Sequence, residues 1–309
     1  MSYQLLLAKT EVTPGTDVVP AAVNTVQALN VSHKLLGDRV TIDVAKPSTT
    51  AAEGQIVGEH VEFSFDVPLS TSGVAGTAPA WGSLIKACGY AETIVATTSV
   101  TYAPLSDLAL TPALTMQWRD SLRTMKALMS RGKVGLKVSA KNIPMLSFMY
   151  RGILVPMAAG AQLVPGDANF TTWPTVKPVA QGRSTFSLGG VAMSLLELTA
   201  DTADNVKFID LTNQKGVFLK GDRNMSSKIK AQMPAVATYS PEAKWLAGSK
   251  EVFQFVHGTA PGGIATVNGR QQLDSPSWSR TDEFDTFEAS GFLVSSDLAS
   301  NDDFSIVLA

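Results

Sequence analysis

Hydrophobic and polar positions alternate most clearly in HVEFSFDVPL, where Val61, Phe63, Phe65, Val67 and Leu69 are separated by Glu62, Ser64, Asp66 and Pro68. A period of two puts one set of side chains on one face of a β-strand. Pro68, which has no N–H to give to a ladder, places that end of the strand at an edge or terminus. Similar patterns predict strands at 40–44, 115–118, 134–138, 146–155, 252–256, 284–294 and 304–308. The chain is predicted to be mainly β.

Helical spacing is rare. In PAWGSLIKACGY, Trp81, Leu84, Ile85 and Cys88 fall at i, i+3, i+4 and i+7 and share a face. Pro79 suits the first turn and Gly89 a left-handed stop. Burying each large apolar side chain of that face contributes about 1.5–3 kcal/mol, enough to hold a short helix whose own propensity could not. SPEAKWLAG predicts a second helix, with Ser240 as N-cap, Pro241 in the first turn, Trp245 and Leu246 as apolar anchors and Gly248 as the stop.

One Trp-bearing helix in each half directs attention to internal repeats. GDRVTIDV at 37–44 echoes GDRNMSSKI at 221–229, and SFMYRGILV at 147–155 echoes TFEASGFLV at 286–294. The strand HVEFSFDVPL precedes the first helix, whereas its apparent match EVFQFV follows the second, so the echoes leave duplication open. The proline-punctuated stretch from Met157 to Arg183 reads as a linker or long crossover, which divides the chain into 1–156, 157–183 and 184–309. Two long polar loops, Ala45 to Gly58 and Ser70 to Ala80, are of the kind that serve binding or assembly.

Composition narrows the function. The 309 residues are 45% hydrophobic and 17% charged, which fits packed cores and not a disordered chain. Twenty-five Lys and Arg against 27 Asp and Glu give a net charge of -2, leaving no basic surplus for tight binding of phosphates. The single Cys88 excludes an internal disulfide, the N-terminal apolar run is too short for a signal peptide, and no stretch is long and apolar enough for a membrane helix. A protein of the reducing cytoplasm, free of membranes, is expected.

Catalytic and metal-binding signatures are missing from the sequence. There is no phosphate-binding glycine loop, no GxGxxG, HExxH or GxSxG, and no CxxC. His33, His60 and His257 are scattered, and Cys88 lies on an apolar helix face where a packed, inert thiol is expected. Asp282, Glu283, Asp285 and Glu288 are interrupted by Phe284 and Phe287 without the glycine turn of a calcium loop, and read as a solvated strand edge. Sequons at Asn30, Asn169 and Asn224 carry no weight without a secretory signal. No catalytic, cofactor-binding or metal-binding residue is therefore assigned. Trp173 and Trp278, in predicted loops, keep a carbohydrate-binding module among the alternatives.

Three segments resemble the major tail tube proteins of bacteriophages. Leu7 to Glu11 and Gly15 to Pro20 are similar to the N-terminal arm of that family. FSFDVPLSTSGVAGTAPAWGSLIKACGYAET resembles its strand, glycine loop and helix, through Gly73, Gly76, Ala78, Pro79, Cys88 and Gly89. The segment from Thr115 to Pro156, with Ile143 and Pro144 before its closing strand, is similar to the strand pair that ends the family's first half, although Ser121 to Arg131 carries less glycine than that pattern. The C-terminal half, from GDRN through the Trp245 helix to DDFSIVLA, is similar in plan to longer members.

The resemblance implies two tandem tail-tube-like β-barrel or sandwich domains, each with a short flanking α-helix. It further implies a structural virion protein, assembled in the host cytoplasm, that stacks as rings around a channel for DNA ejection. Its partners would be further copies of itself, the tape measure protein, the tail terminator and distal tail proteins, with DNA passing the lumen unbound. A trimeric, pseudo-hexameric ring is expected in preference to a hexamer, with contacts between rings in the arm 2–20 and the loop 45–58. A tail terminator or baseplate hub-type protein is the alternative within the same class.

Overall fold

The computed structural model describes residues 3–280 and 284–309. The protein is mainly β, as its alternating pattern predicts. In the first half the strands are β1 (Gln4–Thr10), β2 (Leu29–Thr41), β3 (Gly54–Pro68), β4 (Tyr90–Val95), β5 (Ser99–Pro104), β6 (Leu114–Asp120), β7 (Arg123–Ser139) and β8 (Met145–Ala159), with helix α1 (Gly82–Lys86) after β3. In the second half they are β9 (Ser184–Leu188), β10 (Val191–Ala192), β11 (Leu195–Thr202), β12 (Val206–Leu211), β13 (Gln214–Leu219), β14 (Met225–Gln232), β15 (Lys250–His257), β16 (Ala265–Arg280), β17 (Asp285–Leu293) and β18 (Phe304–Leu308). Helix α2 (Pro241–Leu246) follows β14.

The same antiparallel strand order occurs twice. In the first half it runs β2-β3-β8-β7-β6-β1, and in the second β11-β14-β17-β16-β15-β9. Irregularities recur at the same places. The ladder between β7 and β8 gains a residue between Leu128 and Arg131, and that between β16 and β17 gains one between Leu273 and Ser275. Likewise β2 is irregular between Leu29 and Ser32 against β3, and β11 between Leu195 and Glu197 against β14. A bulge re-aims a strand and is kept as a designed feature, so two matched bulges say more than matched strand counts.

Each β7-type bulge crowds a glycine on the neighbouring strand. A Cβ on Gly152 of β8 would lie 2.7 Å from the Ala127 methyl, and one on Gly291 of β17 would collide with the Gln272 carbonyl oxygen. These are the glycines of the SFMYRGILV and TFEASGFLV echo. The other echo does not hold: Gly37 to Val44 runs out along β2, whereas 221–229 enters β14, the counterpart of β3. The counterpart of HVEFSFDVPL is thus β14 and not EVFQFV, and both helices follow the equivalent strand.

The two halves are joined edge to edge. β11 pairs with β7 from Glu197–Ser139 to Asp201–Gly135, and the C-terminal strand β18 pairs with both β16 and β5. One hydrophobic core runs through both, taking in Phe63, Tyr150 and Trp118 from the first half and Ile229, Phe255 and Phe287 from the second. Among the described residues the pairings close no barrel; the main path of strands ends at open edges on β2 and β10.

The predicted arm is a sheet strand. Leu5, Leu6, Leu7 and Ala8 of β1 are buried, and the turn after it is tied down by Glu11, whose carboxylate accepts from Gly15 N, Thr115 Oγ1 and Met129 N at 2.6, 2.9 and 2.8 Å. The crossover at 160–183 is also anchored: Trp173 is buried and its Nε1 donates to the Thr25 carbonyl at 2.9 Å. In α1, Trp81 is fully buried, donates to the Ser70 carbonyl at 2.7 Å and packs on Tyr102. In α2, Ser240 accepts from Ala243 N at 3.2 Å as the N-cap, but Trp245 and Leu246, the expected apolar anchors, are exposed.

Candidate assembly surface

The junction between the halves sets the frame for any surface role. Along one edge, β7 carries β6 as far as Ser130 and then β11 from Gly135. The gap is filled by the end of α1, where Gly132 N donates to the Ala87 carbonyl at 3.1 Å. Thr202 Oγ1 donates to the Val134 carbonyl at 2.8 Å, and Lys133 reaches Asp201 at 3.2 Å. Pairing at this edge buries Val134, Leu136, Leu198 and Ala200.

From β11 the chain runs into the β12–β13 hairpin, a two-stranded sheet of its own, which lies over the outer face of β8, β7 and β3. A lone hairpin is marginal in water and needs such a support. Val206, Val217 and Leu219 pack with Met149 and Leu108, and Phe208 stacks on His60 at 4.5 Å. Arg131, buried and with its guanidinium held below the ordinary arginine pKa range by desolvation, donates to the carbonyls of Thr111 (3.0 and 3.1 Å) and Val217 (2.6 Å). Arg151 donates to the Val206 carbonyl and pairs with Asp204 at 2.9 Å and Glu62 at 3.2 Å. Solvent screening holds the partly exposed ion pairs to roughly 0–1 kcal/mol each, so the buried bond from Arg131 to Val217 and the apolar cluster carry most of the attachment.

At the two outer ends the same edges are bare. Among the described residues no strand pairs with the outer edge of β2, and β15 leaves β16 after Gln272, so that β16 continues to Arg280 with β17 on its other edge alone. An open edge is a template for another strand. The ribbon of β2 and β3 projects past the sheet, because β8 meets β3 only from His60 onward. That ribbon and its turn expose Val40, Ile42, Val44, Ile56 and Val57, and the opposite end of the chain exposes Trp278 and Phe292.

No protein-family model matches the chain, and no curated protein matches it.

Chemical candidates do not assemble into a site. Among the described residues no group of three or more His, Cys, Asp or Glu side chains is placed to hold a metal ion. His33 lies against Trp118, His60 against Phe208, and His257 against Ser184 Oγ at 2.8 Å. Cys88 is buried beneath Tyr150, and burial pushes its thiol up to about 12. Of the acidic run, Asp282 and Glu283 lie outside the described residues; Asp285 pairs with Arg280 at 3.6 Å and Glu288 with Lys228 at 2.7 Å. Trp173 is a packing residue, not an open platform for a sugar, whereas Trp278 is exposed. No helix of the described residues is long and apolar enough to cross a membrane.

Sequence patterning located the exposed loop at 45–58, although Gly54 to Gly58 already belongs to β3. It missed the open edge of β16, since an edge is defined by what fails to pair with it. The doubled strand order was also hidden, because the halves share a topology while few of their side chains agree.

Proposed function

We propose that this chain is a self-assembling structural subunit of a bacteriophage tail tube, built of two tandem tube-like units and carrying no catalytic site. The observation that carries the proposal is the doubled strand order, with its halves joined edge to edge and the equivalent edges left open at both ends. A subunit whose first and last edges match can add copies of itself by one repeated contact, and a head-to-tail contact of that kind closes into rings when its rotation closes. The resemblance of the segments at 7–20, 63–93 and 115–156 to tail tube proteins supplies the biological setting.

In this reading the ring is trimeric, each copy giving two of six similar units. Rings stack into a virion tube assembled in the host cytoplasm, with the projecting 37–58 ribbon available for contacts beyond the subunit. The tape measure protein, tail terminator and distal tail proteins are the other partners. DNA passes the lumen without specific binding, in keeping with a net charge of -2.

Sedimentation velocity over a hundredfold range of protein concentration tests this reading. Growth from subunits to large, uniform polymers supports it. A single closed oligomer that never grows transfers the assignment to a tail terminator or hub-type protein, and a monomer at every concentration removes the assembly reading.

A further inference from the structure

We propose that copies of this chain join through a repeat of the junction that already joins the two halves within each copy. The outer edge of β2 in one copy pairs antiparallel with the distal part of β16 in the next, and the projecting β2–β3 ribbon lies over the outer face of that neighbour's β16, β17 and β14. The proposal rests on the self-assembly reading above and names the contact that reading requires.

The correspondence comes from counting pairing registers outward from Gly152 and Gly291. Through the ladders of β8 with β3 and β3 with β2, and their counterparts, Leu35 of β2 takes the position of Ala200 of β11. Through β7 and β16, Trp278 takes the position of Val134, and Arg280 that of Leu136. The internal seam buries Val134, Leu136 and Ala200 to 2% exposure or less, whereas Leu35 is 58% exposed and Trp278 53% exposed. The same positions are therefore covered where a partner strand is present and bare where it is not.

The register follows. Ala200 faces Leu136 and Asp201 faces Gly135 within the chain, so Leu35 of one copy faces Arg280 of the next, and Leu36 faces Ser279. Antiparallel pairing places such partners about 4.5–5.5 Å apart at Cα, and gives each previously solvated N–H and C=O of the seam a partner.

The ribbon supplies the second half of the contact. Inside the chain, β12–β13 sets an apolar cluster on the outer face of β8, beside Met149. The position of Ile153 on that face is taken in the second half by Phe292, which is 57% exposed. Val40 and Val57, which share one face of the ribbon through the pairings of Val40 with Gln55 and of Asp38 with Val57, are the matching apolar surface. The internal junction has an additional seam, β18 on β5, for which the repeat provides no counterpart. The contact between copies is thus the weaker of the two and separates on dilution while the halves stay together.

Paired cysteines test the register, since Cys88, the sole native cysteine, is buried. L36C/S279C and L35C/R280C, each with both changes in one chain, are oxidised under assembly conditions and run on a denaturing gel without reductant. A ladder of dimers and higher oligomers that collapses on reduction is the expected result for at least one pair. Each single variant gives no product above a dimer. The ladder also counts the copies in a closed ring, at the step where it stops.

F292D gives an independent readout. It leaves the melting temperature unchanged and raises the concentration needed for assembly about tenfold or more, the equivalent of about 1.4 kcal/mol. Assembly that is visible by sedimentation, with neither cysteine pair forming a ladder and F292D assembling normally, overturns this junction while leaving the assembly reading intact. Absence of both assembly and cross-links overturns the two together.

Discussion

Arg131 on β7 donates from Nη1 to the Val217 carbonyl on β13 at 2.6 Å, so a buried guanidinium of the first half holds the hairpin of the second. The same side chain reaches the Thr111 carbonyl with Nε and Nη2. One buried cation thus ties the hairpin, through Val217, to the segment before β6, through Thr111.

Arg131→Met keeps much of the volume and removes those donors, leaving two buried carbonyls without them. The expected loss is about 3 kcal/mol in denaturant unfolding, with faster amide exchange along 206–219. Unchanged stability and exchange would show that the apolar cluster alone attaches the hairpin.

Gly152 and Gly291 occupy equivalent places beside matched bulges, and a methyl group fits at neither. Gly152→Ala and Gly291→Ala are each expected to lose about 2–3 kcal/mol through forced displacement of the neighbouring strand. A neutral result at Gly291, where the Gln272 carbonyl oxygen stands closest, would count against the equivalence of the two halves.

Asp120 closes the β6–β7 turn by accepting from Leu122 N at 2.7 Å and Arg123 N at 2.6 Å, with the Arg123 guanidinium also on its carboxylate. The Leu122 N–H first, and the Arg123 contacts with it, hold this carboxyl below its ordinary range. A depressed folded pKa contributes stability that is fully present above the unfolded value of about 4 and is lost as the pH falls through the folded value. Asp120→Asn should therefore be less stable at neutral pH and show a flatter decline on acidification. Parallel acid limbs in the two proteins would contradict this.

With its thiol pushed up to about 12 by burial, Cys88 should resist a thiol reagent at pH 8 in the native protein and react at once on unfolding. Rapid labelling without denaturant would mean that α1 opens readily from the core.

The legible part of this fold was its patterning. Val61 to Leu69 alternates as a strand buried on one face and is one, and Ser240 with Pro241 marks the start of α2 as capping chemistry requires. Trp245 and Leu246 misled, because two adjacent apolar residues on a six-residue helix say nothing about whether a surface exists to receive them. The resemblance implies an N-terminal arm over 2–20, yet Leu5 to Ala8 within it are four apolar residues in succession and are buried inside the sheet, where Ala8 faces Met116. The doubled order was legible only along β8 and β17, where Phe148, Gly152, Leu154 and Val155 recur as Phe287, Gly291, Leu293 and Val294 and crowding by a bulge forbids any side chain at the two glycines. At other core positions, such as Phe63 and Ile229, the halves are packed with different residues.

Electron microscopy of the purified protein tests the central claim most directly, by imaging end-on and side views across concentration. The account predicts regular hollow tubes of stacked rings whose end views show six similar lobes from three copies. Persistent monomers, or sheets and fibres without a central hole, would contradict it.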